Sequence, residues 1–186
     1  MGDKQAFRFH GGRPSVNFTA TVGMRRRDGG FERLPDPAAL GRWFVEAGLV
    51  PEEPACVEAD LAAARELREA VYRLMRARLS GASVRPADVD VVNRWAEEPP
   101  PVAALRITAT GLGVEQVPAT VPALLGLIAA DAVAVLGGAA AGRLRECANP
   151  ECSLLFVDTS RAGVRRWCSM SGCGAREKMQ RYRSDR

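Results

Sequence analysis

The apolar positions between residues 57 and 81 predict the most regular helix of the chain. In the stretch VEADLAAARELREAVYRLMRARLSG, apolar side chains recur at steps of three and four residues from Leu61 to Leu79, and arginines and glutamates fill the other face. Gly81 follows the last periodic residue and is a typical helix terminator. The pattern predicts one amphipathic helix that buries a single face.

Three further helices are predicted by shorter patterns with clear boundaries. The first has Asp36 as its N-cap and Pro37 at its first helical position, with Trp43 and Phe44 on the buried face, and it stops at Gly48. The second helix opens at Pro86 and closes before the three consecutive prolines at positions 99–101. The third helix is almost wholly apolar. The three predicted helices cover residues 36–48, 86–98 and 122–136.

Two short β elements are also predicted. Apolar and polar residues alternate from Val16 to Val22, which is strand spacing, and a turn through residues 28–30 follows. Ile107 and Val114 flank a glycine-containing turn that is typical of a hairpin. The prediction is an α+β fold: a mostly helical N-terminal domain with a small β-sheet, residues 1–141, and a small C-terminal cysteine module, residues 142–186.

Four of the five cysteines indicate a metal site. Cys147 and Cys152 form one pair, and Cys168 and Cys173 form a second pair of the same spacing after fifteen intervening residues. Four soft thiolates in two chelating units suit tetrahedral Zn²⁺, with iron–sulfur binding as the less favoured alternative. Four protein thiolates leave no open position for water or substrate, so we expect one structural zinc ion per chain. Cys56 is interpreted as a small, buried or half-buried thiol.

Charge is distributed unevenly along the chain. From Ala141 onward there are 10 Arg or Lys and 5 Asp or Glu, a balance of +5, whereas the earlier residues hold the remaining 16 basic and 17 acidic residues, a balance of −1. The asymmetry favours an acidic partner for the C-terminal part, and nucleic acid is the commonest one.

The cysteine segment carries a family resemblance. CANPECSLLFVDTSRAGVRRWCSMSGCGAREK resembles the CGNR zinc-finger family, whose signature joins an LF-D-SR segment to RRWCSM and CGNR, with Ala175 in place of the last motif's asparagine. The upstream RPSVNFTATVGMRRR and the helices after it are similar to the ABATE domain, with Asn17 where an aspartate is frequent. The resemblance implies a transcription regulator of bacteria whose finger contacts DNA.

The residues around the second cysteine pair could support such a contact. The segment GAREKMQRYRSDR has helix-forming composition, and its basic residues could meet phosphates while arginine or Gln180 reads base edges. About six neutralised phosphates would give a slope of log affinity against log salt of roughly −5. The expected nucleic-acid contacts are Arg161, Arg165, Arg166, Arg176, Lys178, Gln180, Arg181 and Arg183.

The same residues also fit other functions. The chain could instead be a zinc-stabilised RNA-binding or protein-interaction module with a metabolite-binding N-terminal domain. A homodimer is expected because one small finger gives a short footprint on DNA, and the helical domain could hold a small-molecule effector. The arginines at positions 13 and 25–27 are expected to be solvated.

Several function classes are disfavoured. His10 is the only histidine, no recognisable nucleophile is present, and Gly11 and Gly12 are not followed by a GK[ST] motif, so we do not expect an enzyme. The closest approach to an apolar membrane segment, VPALLGLIAADAVAVLGG, is interrupted by Asp131, and the N-terminus lacks the features of a secretory signal. We expect a cytoplasmic protein without membrane association.

Overall fold

The computed structural model describes residues 5–26, 30–116 and 119–184. Helices dominate this part of the chain. They are α1 Pro14–Thr19, α2 Pro37–Glu46, α3 Glu58–Ser80, α4 Pro86–Ala96, α5 Val121–Gly137 and α6 Ala175–Ser184, with a 3₁₀-helix at Ala139–Arg143 and a π-helical turn at Met170–Gly174.

The strands form two-stranded antiparallel sheets. In the described residues β1 Val22–Gly23 pairs with β2 Phe31–Glu32, β3 Ala103–Thr108 pairs with β4 Gly111–Gln116, and β5 Leu144–Glu146 pairs with β6 Leu155–Val157. The predicted α+β class and the hairpin around Ile107 and Val114 are therefore confirmed. Two residues of the predicted turn, Asp28 and Gly29, lie outside the described residues.

The helix ends follow from local chemistry. The Asp36 carboxylate accepts a hydrogen bond from the Ala39 backbone N–H at 2.7 Å and caps α2, as its sequence predicted. Helix α3 ends at Gly81, whose φ of +71° is in the left-handed region that favours glycine. Helix α3 lies at the centre of the core, in contact with α1, α2, α4 and α5.

The strand predicted through Val16, Phe18 and Ala20 is wrong, because residues 14–19 form helix α1. Its start is fixed by a distant residue. The Asp131 carboxylate on α5 accepts hydrogen bonds from the Ser15 backbone N–H at 2.9 Å and from the Ser15 hydroxyl at 2.6 Å. The charged residue that interrupts the apolar α5 is thus the N-terminal cap of another helix.

Arginines expected to be solvated are instead paired within the fold. Arg13 forms an ion pair with Asp131, and Arg26 forms one with Glu146 at 2.7 Å. Arg25 makes a bidentate contact with Glu69, at 2.7 and 2.9 Å, and its guanidinium lies 4.0 Å from the centre of the Tyr72 ring. Arg27 lies outside the described residues. The basic stretch therefore supports the fold.

Strand β6 is shared between two clusters of apolar side chains. Leu155 and Val157 are buried in the main core with Leu144, whereas Phe156 points to the other side and packs with the cysteines. The Val157 N–H also donates to the Gly11 carbonyl at 2.9 Å, so the N-terminal segment is tied to this strand. The cysteine segment is packed directly against the helical part of the chain.

Among the described residues, no helix is both long enough and apolar enough to cross a bilayer.

Candidate metal centre and basic face

The four predicted ligands converge on one point. The sulfur atoms of Cys147, Cys152, Cys168 and Cys173 all lie within 4.8 Å of one another. The Cys152–Cys168 and Cys168–Cys173 sulfur distances are 3.8 and 3.7 Å. A tetrahedral Zn²⁺ with Zn–S bonds of about 2.3 Å requires sulfur separations of about 3.8 Å, so the thiols fit one structural zinc ion.

The first cysteine pair is held by a tight turn. The Asn149 carbonyl accepts a hydrogen bond from the Cys152 N–H at 2.9 Å, and its side-chain oxygen accepts one from the Glu151 N–H at 2.9 Å. The Cys147 N–H donates to the Leu154 carbonyl at 2.9 Å. The buried Asn149 is therefore the residue that shapes this turn, which sequence reasoning did not single out.

The second cysteine pair is held by Ser169. The Ser169 hydroxyl accepts a hydrogen bond from the Gly172 N–H at 3.1 Å, and its carbonyl accepts one from the Gly174 N–H at 3.0 Å. Helix α6 then begins at Ala175, the residue that replaces the family's asparagine, and the Ala175 side chain is exposed. Ser169 supplies the side-chain cap of the π-helical turn before α6, so an amide at position 175 is not needed for that role.

The protonation states of the thiols show what a cation would change. Hydrogen bonds from the Cys152 and Cys168 thiols lower the pKa of Cys147, and the same contact with Cys147 raises the pKa of Cys152 to about 12. Burial raises the pKa of Cys173. Without a cation, one thiolate is stabilised at the expense of its neighbours, whereas Zn²⁺ would hold all four as thiolates.

Positive charge surrounds the thiols. A cavity of about 200 Å³ beside Cys152 and Cys168 is lined by Arg8, Arg33 and Arg176, which come from three separate parts of the chain. Arg33 is buried, and burial together with the charge of Arg8 lowers its pKa to about 10. Because a zinc ion with four thiolates carries a net charge of −2, these guanidinium groups offset the negative charge of the metal centre.

Arg165 is folded against the metal centre. Its guanidinium Nε donates to the Trp167 carbonyl at 2.8 Å, and its Nη2 donates to the Cys168 carbonyl and, at 3.4 Å, to the His10 carbonyl. The guanidinium also lies 4.5 Å from the centre of the Phe156 ring. Of the predicted nucleic-acid contacts, this residue is engaged by the protein itself.

The loop between β6 and Arg165 is held by a buried carboxylate. The Asp158 side chain accepts hydrogen bonds from the backbone N–H groups of Ser160 and Arg165, at 2.9 and 2.8 Å. Arg143 donates to the carbonyl oxygens of Asp158 and Ser160, both at 3.0 Å. Arg143 was missed by sequence reasoning because its partners follow fifteen and seventeen residues later.

The remaining basic residues form an exposed surface. We define the basic face as the exposed cations that follow β6 and whose side chains form no hydrogen bond or ion pair with another described residue: Arg161, Arg166, Arg176, Lys178 and Arg183. The Arg166 guanidinium lies 5.0 Å from the centre of the half-buried Trp167 ring. Gln180 is exposed on α6 and has an interaction within the protein, and the side chain of Arg181 lies outside the described residues.

Cys56 has the environment expected from the sequence. Cys56 is half-buried, its thiol lies 3.4 Å from the Pro54 carbonyl, and burial raises its pKa to about 11. His10 is exposed and lies outside the ligand cluster.

Comparison with protein families divides the chain into two matches. Residues 12–139 match the ABATE family, described as "Putative stress-induced transcription regulator". Residues 143–186 match the CGNR zinc finger. No curated protein matches the chain.

Proposed function

The chain belongs to the ABATE family and carries a CGNR zinc finger, and from this premise we propose that it is a DNA-binding transcription regulator. The observation that carries the proposal is the basic face beside the metal centre. The side chains of its five cations form no hydrogen bond or ion pair with another described residue, whereas other arginines of the chain, such as Arg13, Arg25 and Arg73, are paired with carboxylates.

The basic face offers both kinds of contact that DNA recognition needs. Arg176 and Arg183 lie seven residues apart on α6, on the same side of the helix, and Gln180 lies between them in an i, i+4 relation to Arg176. Such a helix can place arginine or glutamine against base edges while Arg161 and Arg166 meet phosphates. Five neutralised phosphates correspond to a slope of log affinity against log salt of about −4.5.

Zinc acts in this proposal as a structural element. The four thiolates occupy all four positions of a tetrahedral ion, which leaves none for substrate. The protein would therefore act by binding, without turnover, in the cytoplasm where its DNA target lies.

Dimerisation is supported by the hairpin of β3 and β4. Its register pairs Leu105 with Val114 and Ile107 with Leu112, so four large apolar side chains share one face, and they are 65–86% exposed. An isolated two-stranded hairpin is only marginally stable in water, so burial of this apolar face by a partner would stabilise it.

We propose that a second copy of this chain covers the hairpin. These four side chains at about 100 Å² each would bury about 800 Å² over two copies, and the neighbouring residues of the hairpin would add the remainder of the roughly 1,000 Å² that a specific interface needs. Sedimentation of Ile107→Asp should give a monomer, while Ala104→Asp, on the other face of the hairpin, should stay dimeric. A wild-type monomer, both free and on DNA, would refute the dimer.

The test of the main proposal is capture of sheared genomic DNA by the zinc-loaded protein, followed by sequencing at several salt concentrations. Enrichment of a few intergenic sites that persists as salt rises would support a sequence-specific regulator. Uniform retention that is lost with salt, or retention of RNA in preference to DNA, would refute it and favour the module that binds RNA or protein.

A further inference from the structure

An apolar groove lies among helices α3, α4 and α5. It is formed by the C-terminal part of α3, by α4 and by the C-terminal part of α5, and its volume is about 450 Å³. Leu74 and Val92 form its buried floor. This volume is within the range of protein sites that bind small organic molecules.

The walls of the groove expose apolar side chains to solvent. Val84, Val89 and Val133 are 50%, 36% and 45% exposed, although they come from three different segments that converge here. A contiguous apolar surface formed by separate segments marks a binding site more often than scattered apolar residues do.

Two exposed polar side chains, those of Arg78 and Asn93, lie at the edge of the groove. Neither the Arg78 guanidinium nor the Asn93 amide has a hydrogen bond or ion pair to another described residue. Arg73 and Arg76, earlier on the same helix, are paired with Asp88 and Glu146. Arg78 stabilises the C-terminal end of α3 through its interaction with the helix dipole, but this interaction uses none of its five N–H donors.

The chemistry of the groove selects one class of ligand. No acidic side chain is among the described residues that line it, so an anion meets Arg78 without repulsion from a neighbouring carboxylate. A guanidinium binds a carboxylate with two parallel hydrogen bonds, and Asn93 can donate one more. We propose that the groove binds a small organic monocarboxylate whose apolar tail covers the three exposed valines.

The position of the groove gives such a ligand a route to the finger. Helix α5 contributes Val133 and Leu136 to the groove, and after Gly137 the chain passes through the short 3₁₀-helix to Leu144, the first residue of β5. A ligand that shifts the end of α5 would act on the strand that precedes Cys147. The assignment of this carboxylate as the regulator's effector rests on the proposed function, whereas its binding does not.

The proposal is tested with two probes that have eight carbons each, octanoate and 1-octanol. Each is titrated calorimetrically into the full-length, zinc-loaded protein. We expect octanoate to bind more tightly than octanol. Arg78→Gln should weaken octanoate binding by about tenfold or more and leave octanol binding unchanged, because only the carboxylate uses the guanidinium. Arg42→Gln, at an exposed arginine of α2, is the matched control and should bind both probes as the wild type does.

A second variant tests the apolar part of the site. Val133→Asp, at a half-exposed position, should abolish binding of both probes without unfolding the protein. Equal affinity for the two probes, or no effect of Arg78→Gln, would overturn the proposed ligand class. Failure of both probes to bind at millimolar concentration would overturn the small-molecule site. Dissociation of a dimer by Val133→Asp would also overturn it, and would assign the groove, in place of the β3–β4 hairpin, to the contact between copies. None of these outcomes alters the DNA-capture result, so the two proposals fail separately.

Discussion

Changing the adjacent residues Arg165 and Arg166 to alanine should affect two different properties of the protein, zinc affinity and DNA affinity. The Arg165 side chain is bound to three backbone carbonyls and stacks on Phe156, whereas the exposed Arg166 side chain lies over the Trp167 ring and forms no hydrogen bond with the described residues. We expect Arg165→Ala to weaken the metal centre and Arg166→Ala to weaken DNA binding alone.

The magnitude for Arg165 follows from its contacts. The hydrogen bonds to the Trp167 and Cys168 carbonyls are worth about 1 kcal/mol each, and the contact with Phe156 about 1 kcal/mol, after allowance for a side chain that is partly exposed. The longer bond to His10 adds little. The loss is therefore about 3 kcal/mol, and because zinc binding and folding of the finger are coupled, zinc affinity should fall by about 100-fold.

The assay is competition for zinc with a chromophoric chelator, combined with DNA binding at several salt concentrations. Arg165→Lys is the control for charge, since lysine keeps the cation but lacks the planar fork, and its zinc affinity should remain well below that of the wild type. Arg166→Ala should keep zinc affinity within about twofold and reduce the salt slope by about 1.

Loss of DNA affinity without loss of zinc affinity in Arg165→Ala would refute the role assigned to Arg165. If Arg165→Ala bound zinc as tightly as the wild type and lost DNA affinity to the same extent as Arg166→Ala, the contacts of Arg165 with the backbone would not matter for the metal centre. Arg165 would then belong with the basic face.

Three further outcomes are expected. Cys168→Ser should lose zinc and DNA binding together, measured by atomic absorption and gel shift, while Cys56→Ser should keep both. Asp131→Ala removes the acceptor for two hydrogen bonds from Ser15, so calorimetry should show a loss of about 2 kcal/mol and a Tm about 6 °C lower, with Asp90→Ala unchanged. Because the pKa of Cys152 is raised to about 12, its thiol must release a proton as zinc binds. Competition assays should therefore show that the apparent zinc affinity falls by at least about tenfold for each unit by which pH decreases. A zinc affinity independent of pH would contradict this expectation.

What the sequence predicts well is encoded locally. The zinc ligands follow from two cysteine pairs of equal spacing, and α3 follows from an apolar repeat that persists from Leu61 to Leu79. Helix boundaries at Asp36 and Gly81 were predictable for the same reason, because a cap depends on residues within one turn.

What the sequence does not predict depends on partners that are distant along the chain. Helix α1 was predicted as a strand because its cap, Asp131, is 116 residues from Ser15. Likewise, Arg25 was expected in solvent because its partner, Glu69, lies 44 residues away. The sequence likewise does not distinguish Arg165 from Arg166, because the partners of Arg165 include the distant His10 and Phe156.

The alternation of side chains along β6 has a consequence for modularity. Leu155 and Val157 complete the core of the helical part, and Phe156 between them completes the metal centre. A finger cut from this chain would expose two apolar side chains on one face of its strand, and the remaining helical part would keep an open gap in its interior. Transplanting this finger to another protein would therefore require transplanting its neighbour as well, and loss of zinc should loosen both parts at once.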